Sequence, residues 1–144
     1  MNILLDTNIC IDLACRADEY PESVKVFAEL KKLGAQISIS GSCVTDLYYL
    51  IAKEVGKKDS LLFLKQFVMN DSQIKSFTQL DFERADELDF KDFEDACIAA
   101  VAENNKCDYI ITRNGKDLIK SSVTAVSPNK MIDILGKTGK QTEN

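Results

Sequence analysis

The chain has 144 residues, 45% of them hydrophobic, which is enough material for one domain with its own core. Its net charge of −5 argues against broad attraction to nucleic acid or anionic lipid, and no apolar run approaches the roughly 20 residues that span a bilayer. The absence of histidine excludes Ser-His-Asp and Cys-His nucleophilic schemes and most zinc sites, so any chemistry must use carboxylates, amides, hydroxyls or cationic side chains.

The first half of the chain alternates between strand and helix patterns. Short apolar runs at residues 2–5 (NILL) and 35–40 (AQISIS) predict buried strands. Gly34 and Gly56 are expected to end two of the helices, and Asp59 or Ser60 is expected to cap a third. Apolar residues at helical spacing predict helices over residues 7–16, 21–33, 42–55 and 60–69.

The second half continues this alternation. Residues 74–79 (IKSFTQ) predict a short strand or a linker, and further strands are expected at 107–112 (CDYIIT) and 124–128 (TAVSP). Helices are expected over residues 81–88, 92–105 and from Pro128 to about Leu135. The sequence therefore predicts one domain over residues 1–135, with residues 136–144 as a disordered tail.

Strands that alternate with helices predict a parallel α/β sheet with helices on both faces. In such sheets, ligands bind beyond the carboxyl ends of the strands. Asp6 stands at that end of the first strand. Thr112, Arg113 and Asn114 stand at that end of a later strand. These residues are therefore candidates for a functional site.

Further carboxylates can join this edge of the sheet. Asp46 lies among apolar neighbours on the helix after the second strand. Asp92 and Asp95 share a helix face, whereas Glu94 points about 100° away from Asp95 and is expected to be exposed. Carboxylates gathered without lysine partners repel one another unless protons or cations neutralise them. Mg²⁺ or Mn²⁺ suits oxygen ligands, and water activated by such an ion would allow hydrolysis without histidine.

Each acid also has a purely structural interpretation. Asp6 and Asp92 could be helix N-caps, which is the role that we favour for Asp92. Asp46 could be no more than the polar flank of its helix. Only the joint placement of the acids near strand ends favours a site. If Asp6 is a metal ligand, the cap role is expected to pass to Thr7 or Asn8.

Several stretches resemble the PIN-domain family, in that family's order and up to about Leu135. They are LLDTN, ISGSCVTDLYYLI, DFEDACIAAVAE and CDYIITRNGKDL followed by VSP. The subgroup that they resemble most is that of VapC-like toxins of toxin–antitoxin pairs. The resemblance implies a three-layer α/β/α sandwich around a parallel sheet of four to five strands. It also implies a Mg²⁺- or Mn²⁺-dependent ribonuclease with an RNA substrate, a small antitoxin partner and a homodimer.

On this resemblance, the family's first acid falls on Asp6, its second on Asp46, its third on Asp95 and its fourth on Asn114. Two of these positions depart from the family pattern. Asp46 is one methylene shorter than the usual glutamate, and Asn114 offers an amide oxygen but no charge. Asp117, a loop acid three residues further on, could supply the missing carboxylate to the metal.

Other residues are expected to support the site or to contact substrate. Thr112 is expected to hydrogen-bond the ligand or a metal-bound water, and Asn8 is expected to orient Asp6. Arg113 and Lys116 could bind backbone phosphates or could be solvated loop charges. Three aromatic side chains could stack on bases, but their apolar neighbours favour a place in the core: Tyr48, Tyr49 and Phe93.

Two other functions stay open. The neutral Asn114 and the short Asp46 are compatible with a catalytically weak or inactive module that binds RNA or protein on the same fold. A magnesium-dependent phosphatase is also conceivable, because an aspartate after the first strand opens the haloacid-dehalogenase pattern. Asn8 stands where that pattern requires a second aspartate, which argues against a phosphatase.

The cysteines bear on the cellular compartment. Their five positions are irregularly spaced and include no CxxC pair, which predicts reduced, packed thiols rather than a disulfide framework or a zinc site. The N-terminus shows neither the basic region nor the cleavage site of a signal peptide. We therefore expect a cytoplasmic protein that does not insert into membranes.

Overall fold

The computed structural model describes residues 1–142, in which strands and helices alternate from end to end. The strands are β1 (Asn2–Leu5), β2 (Gln36–Ser40), β3 (Gln73–Lys75), β4 (Tyr109–Ile111) and β5 (Thr124–Val126). The helices are α1 (Thr7–Cys15), α2 (Pro21–Lys32), α3 (Val44–Val55), α4 (Lys57–Gln66), α5 (Gln79–Leu88), α6 (Phe93–Asn104) and α7 (Pro128–Thr142). No helix in this part of the chain is both long and apolar enough to cross a membrane.

The strands form one sheet in the order β3-β2-β1-β4-β5, and every neighbouring pair is parallel. Helices cover both faces of the sheet, so the predicted three-layer α/β/α fold is confirmed. Its five strands reach the upper number expected. The chain builds outwards in two directions from β1, which makes the boundary between β1 and β4 the place where the strand order reverses. Ligands bind at such a boundary in open α/β sheets.

Alternation along β1 divides the core between the two faces of the sheet. Ile3 and Leu5 join the buried cluster that α1 to α4 and α7 cover. Leu4 and Ile110 join the cluster on the opposite face, which α6 and the end of α5 cover. Because both faces are buried, the central strands β1 and β4 are mainly apolar, whereas β2 alternates isoleucine with serine.

The start of α4 differs from the prediction. The helix begins at Lys57, directly after Gly56, whose φ of +91° is available to glycine at little cost. The expected cap at Asp59 or Ser60 is therefore wrong. Asp59 lies in the first turn, and the Ser60 hydroxyl donates instead to the carbonyl of Tyr48 (2.7 Å).

The last helix is longer than the sequence suggests. The sequence predicts that the helix ends near Leu135, but α7 continues to Thr142. Residues 136–142 are therefore helical rather than a disordered tail, while residues 143 and 144 lie outside the described part of the chain. The added turns lie along α2, where Gly136 and Gly139 line a shallow groove opposite Lys25, Glu29 and Leu33.

Candidate active site

Asp6 links the end of β1 to the start of α1. Its backbone is extended, its N–H donates to the carbonyl of Ile111 (3.0 Å), and its Oδ1 accepts from the N–H of Thr7 (2.7 Å). Asp6 is thus itself the N-cap of α1. The expectation that Thr7 or Asn8 takes over this role is wrong, since the carboxylate has a second oxygen with which to face the site.

That second oxygen faces the end of β4. Thr112 is fully buried and donates from Oγ1 to Oδ2 of Asp6 (2.6 Å). The side-chain amide of Asn8 lies 3.3 Å from the same carboxylate oxygen, and its Oδ1 accepts from the N–H of Arg113 (3.3 Å). The two neighbouring strand ends therefore hold the Asp6 carboxylate in one orientation, which supports the orienting role expected for Asn8.

Asp95 and Asp117 reach the same edge of the sheet from other elements. Asp95 lies in the first turn of α6, and Asp117 lies in a short 3₁₀ helix after β4. Both side chains line an open cleft of about 510 Å³, whose other lining residues are Lys91, Asp92 and Phe93. Three of the predicted acids, Asp95, Asp117 and Asp92, are thus brought to one cavity.

Burial and like charge raise the proton affinity of these acids. Burial raises the pKa of Asp6, although the hydrogen bonds from Thr112 and Thr7 partly oppose the rise. Burial and then the charge of Asp6 raise the pKa of Asp95 from 3.8 to about 7, with smaller contributions from Asp92, Asp117 and Glu94. The arrangement therefore carries negative charge that a bound cation or proton would stabilise.

Glu94 is exposed, as its position on the helix predicts, but it also belongs to this group of acids. Its Oε1 accepts from the hydroxyl of Thr7 (3.1 Å), so the side chain reaches across to the start of α1. Burial raises the pKa of Glu94, and the charge of Asp46 adds to the rise. Asp46 is exposed in the first turn of α3. The structure therefore places Glu94, and not Asp46, in contact with the residue that follows Asp6.

Asp92 has the structural role that its sequence position favours. It is the N-cap of α6, and its Oδ1 accepts from the N–H of Glu94 (2.9 Å). Asn114 is exposed, and it is the backbone N–H of Asn114 that bonds to Thr112 Oγ1 (2.9 Å). Lys116 is also exposed. The cationic side chain that lines the cleft is that of Lys91, which was not among the site residues predicted from the sequence.

Arg113 is used inside the protein, which corrects its expected contact with phosphate. Its guanidinium bonds both oxygens of Asp12, which is fully buried, at 2.9 and 3.1 Å. The hydroxyl of Ser23 donates to the same carboxylate (2.7 Å), and the guanidinium lies 3.8 Å from the ring centre of Tyr20. A bidentate pair with a buried carboxylate is neither a solvated charge nor a free ligand for substrate. Arg113 instead anchors the loop after Thr112 to α1 and α2.

The aromatic candidates separate into two groups. Tyr48 is partly buried and packs against the core, as expected. Tyr49 and Phe93 are 61% and 47% exposed, so their expected place in the core is wrong.

The carboxylates at this edge of the sheet can ligate a divalent cation, although they do not enclose one. Within residues 1–142, no three acidic or cysteine side chains surround a common point closely enough to hold an ion as they stand. Mg²⁺ nevertheless commonly binds through one or two carboxylates and keeps several waters. Asp6 and Asp95, with Asp117 nearby, offer oxygen ligands and an excess of negative charge. The residues present therefore fit a hydrated Mg²⁺ or Mn²⁺ ion.

Comparison with known sequences decides the family. The profile of the PIN domain matches residues 2–116, which is most of the chain. The chain belongs to the PIN domain family. No sequence among the curated proteins matches it.

Solved structures similar to this PIN domain share its fold. VapBC2 from Rickettsia felis, bound to a DNA fragment from its promoter, superposes with a TM-score of 0.73 at 21% identity, covering 88% of this chain and 98% of that one. VapC20 from Mycobacterium tuberculosis, a toxin that cleaves the sarcin-ricin loop, gives 0.63 at 15% identity, covering 75% and 86%. FitAcB from Neisseria gonorrhoeae gives 0.60 at 17% identity, covering 88% and 97%.

Proposed function

We propose that this PIN domain is a Mg²⁺- or Mn²⁺-dependent endoribonuclease and the toxin of a toxin–antitoxin pair. The observation that carries the proposal is the convergence of Asp6, Asp95 and Asp117 at the point where the strand order reverses. Burial, and then repulsion by Asp6, raises the pKa of Asp95 to about 7, which is the behaviour expected of a carboxylate that awaits a cation. The capping role of Asp6 does not by itself account for the placement of Asp95 and Asp117 close to it.

The residues of the chain would divide the work as follows. Asp6 and Asp95 would hold the ion, with Asp117 or Glu94 completing its shell. Thr112 and Asn8 fix the Asp6 carboxylate by hydrogen bonds. Lys91, at the same cleft, would neutralise a phosphate of the substrate. A bound Mg²⁺ or Mn²⁺ would supply a nucleophilic water at neutral pH and positive charge for the phosphodiester.

The family's acid positions are only partly used in this proposal. Asp46 stays a candidate ligand, but its shorter side chain and the hydrogen bond between Thr7 and Glu94 favour Glu94 for contacts near Asp6. Asn114 is exposed and neutral, so we assign the fourth acid to Asp117, which lines the cleft. With this assignment the site has a fourth carboxylate, although position 114 is an asparagine.

Cleavage of RNA tests the proposal directly. The wild-type chain should cleave a single-stranded RNA with Mg²⁺ or Mn²⁺ and should stop when the ion is chelated. Asp95→Asn should lower the rate at least 100-fold, because it removes one ligand charge. Asp133→Asn, which alters an acid on α7 away from the cleft, should cleave like the wild type. Equal rates for the wild type and Asp95→Asn would contradict the mechanism.

A binding module on the same fold is the alternative that the site permits. It is favoured by the absence, among the described residues, of a closed three-ligand cluster. Isothermal titration calorimetry with Mn²⁺ separates the two functions. A nuclease should bind the ion through Asp95, whereas a module should bind RNA or protein equally well in the presence of a chelator.

We further propose that the protein is cytoplasmic and forms a homodimer with a small antitoxin bound. An apolar groove of about 380 Å³ between α3 and α4 supports a protein partner, and it is lined by Val44, Tyr48, Tyr49, Leu61, Val68 and Met69 among others. All five cysteines are free thiols, which supports a reducing compartment. Light scattering after size exclusion tests the dimer, and copurification of the product of a neighbouring gene tests the antitoxin.

A further inference from the structure

An exposed aromatic pair stands at the rim of the acidic cleft. Phe93 is the first residue of α6 and lines the cleft together with Asp95. Its ring centre lies 5.5 Å from that of Phe82 on α5, and the two ring planes meet at 68°. Phe93 is 47% exposed and Phe82 is 52% exposed. Folding has therefore brought two phenylalanines together without burying either of them.

A rigid support holds this pair in place. Helices α5 and α6 pack closely through small side chains, of which Ala85, Ala96 and Ala100 are buried. Thr78 closes a reciprocal capping box at the start of α5, and Asp92 caps α6 directly before Phe93. The position of the rings relative to the acids is thus set by two capped helices and not by a mobile loop.

We propose that Phe93, backed by Phe82, is a stacking platform for one nucleobase of a single-stranded RNA whose phosphate lies in the acidic cleft. This inference rests on the ribonuclease function proposed above and extends it to the form of the substrate. In an edge-on pair, at least one ring keeps a face that its partner does not cover. Phe93 lines the cleft, so a base stacked on its ring would belong to a nucleotide next to the bound phosphate.

The chemistry of the rim favours a single strand over a duplex. A base can reach an aromatic ring only when it is not stacked within a double helix, and aromatic stacking tolerates every base. Lys91 lines the same cleft and offers a cation to the adjacent phosphate. The platform therefore predicts preference for an unpaired segment, with little selectivity between bases at this position.

A fluorescence experiment on the full-length chain tests the platform. The background variant is Asp95→Asn, which should bind RNA without cutting it. The probes are unstructured ten-nucleotide RNAs with 2-aminopurine at each position in turn, because stacking on an aromatic ring quenches this base. A second RNA, otherwise identical, carries an abasic site at the position whose fluorescence is quenched. Phe93→Leu removes the ring, Phe93→Tyr keeps it, and Leu62→Ala removes a comparably exposed apolar side chain on α4.

We expect one probe position to be quenched. Phe93→Leu should abolish that quenching and weaken binding of the base-bearing RNA about 5- to 20-fold, but should leave binding of the abasic RNA unchanged. Phe93→Tyr should retain both properties, and Leu62→Ala should behave like its parent. Thermal melts within a few degrees of the parent would show that each variant is folded.

Three results would overturn the inference. If the wild-type chain cleaves RNA but Phe93→Leu binds intact and abasic probes as its parent does, the platform is refuted and the ribonuclease function stands. If the chain neither binds nor cleaves RNA, both proposals fail. If Phe93→Leu instead weakens only the association with a copurified protein, the pair belongs to a protein interface.

Discussion

Removing the charge of Asp95 should stabilise the protein when no metal is present. Asp95 has a pKa of about 7 in the folded chain and an ordinary value of 3.8. Because the folded value is the higher one, the folded state binds more protons than the unfolded state between these two pH values. Stability of the wild type should therefore fall as pH rises from about 4 to 7 and level off above 7. Asp95→Asn has no charge at this position, so its stability should not fall in this way.

The size of the effect follows from the site. Water and salt reach the open cleft, so screening reduces the repulsion that acts on Asp95. We expect Asp95→Asn to gain about 1–2 kcal/mol at pH 8 in the presence of a chelator. For a chain of this length, this corresponds to a rise in Tm of roughly 3–7 °C. At pH 4 the gain should be close to zero.

Adding Mn²⁺ should reverse the order of the two proteins. An ion at about 100 times its Kd stabilises the folded state by roughly 2.7 kcal/mol, and only the wild type keeps the Asp95 ligand. Thermal unfolding followed by circular dichroism at pH 4, 6 and 8, with chelator or Mn²⁺, measures both effects. Equal Tm values for the two proteins at every pH, or equal stabilisation of both by Mn²⁺, would refute the reasoning.

Three further measurements test other features. Arg113→Leu should cost about 3 kcal/mol in urea unfolding because it strands a buried carboxylate, whereas Lys32→Leu, at the exposed pair with Glu29, should cost less than about 1 kcal/mol; similar losses would contradict the anchoring role. By calorimetry, Asp117→Asn should weaken Mn²⁺ binding about tenfold and Asn114→Ala less than about twofold; the opposite ranking would move the fourth acid to position 114. Burial raises the pKa of all five thiols. Less than one thiol per folded chain should therefore react with Ellman's reagent within minutes at pH 7.5, whereas all five should react in guanidinium. Rapid reaction of the folded chain would contradict this packing.

The sheet and one edge of the site follow from local sequence signals. The apolar run before Asp6 and the run before Thr112 each predict a buried parallel strand, and both strands are present. The carboxyl ends of neighbouring parallel strands meet at one edge, so a pattern in the sequence is enough to bring Asp6 and Thr112 together. Their hydrogen bond of 2.6 Å is the outcome of that rule.

The contacts that the sequence did not indicate join elements that are distant in the chain. Arg113 pairs with Asp12 across 101 residues, and nothing near either residue indicates the other. Glu94 points away from Asp95 around the axis of α6, but the projection of one helix does not show where α1 lies. Thr7 on α1 is what receives the Glu94 side chain. Such placements are set by tertiary packing, which periodicity does not encode.

The end of α7 illustrates the same limit. Gly136 and Gly139 each weaken an isolated helix by about 1 kcal/mol relative to alanine, which favours a stop after Leu135. The helix continues because it packs along α2, and both glycines lie in the groove between the two helices. A Cβ at Gly136 or Gly139 would meet no atom within 4 Å, so the contact of the rest of α7 with α2, and not close approach at the glycines, outweighs the signal for a break.

Asp6 has two roles, and this affects which mutations would inactivate the protein without unfolding it. One oxygen of Asp6 starts α1 and the other faces the site, so replacing it harms folding and chemistry together. Asp95 contributes repulsion and no cap, so the fold tolerates its loss. On the proposed toxin function, cells that survive expression of this chain and still accumulate the full-length protein should carry changes at Asp95 far more often than at Asp6.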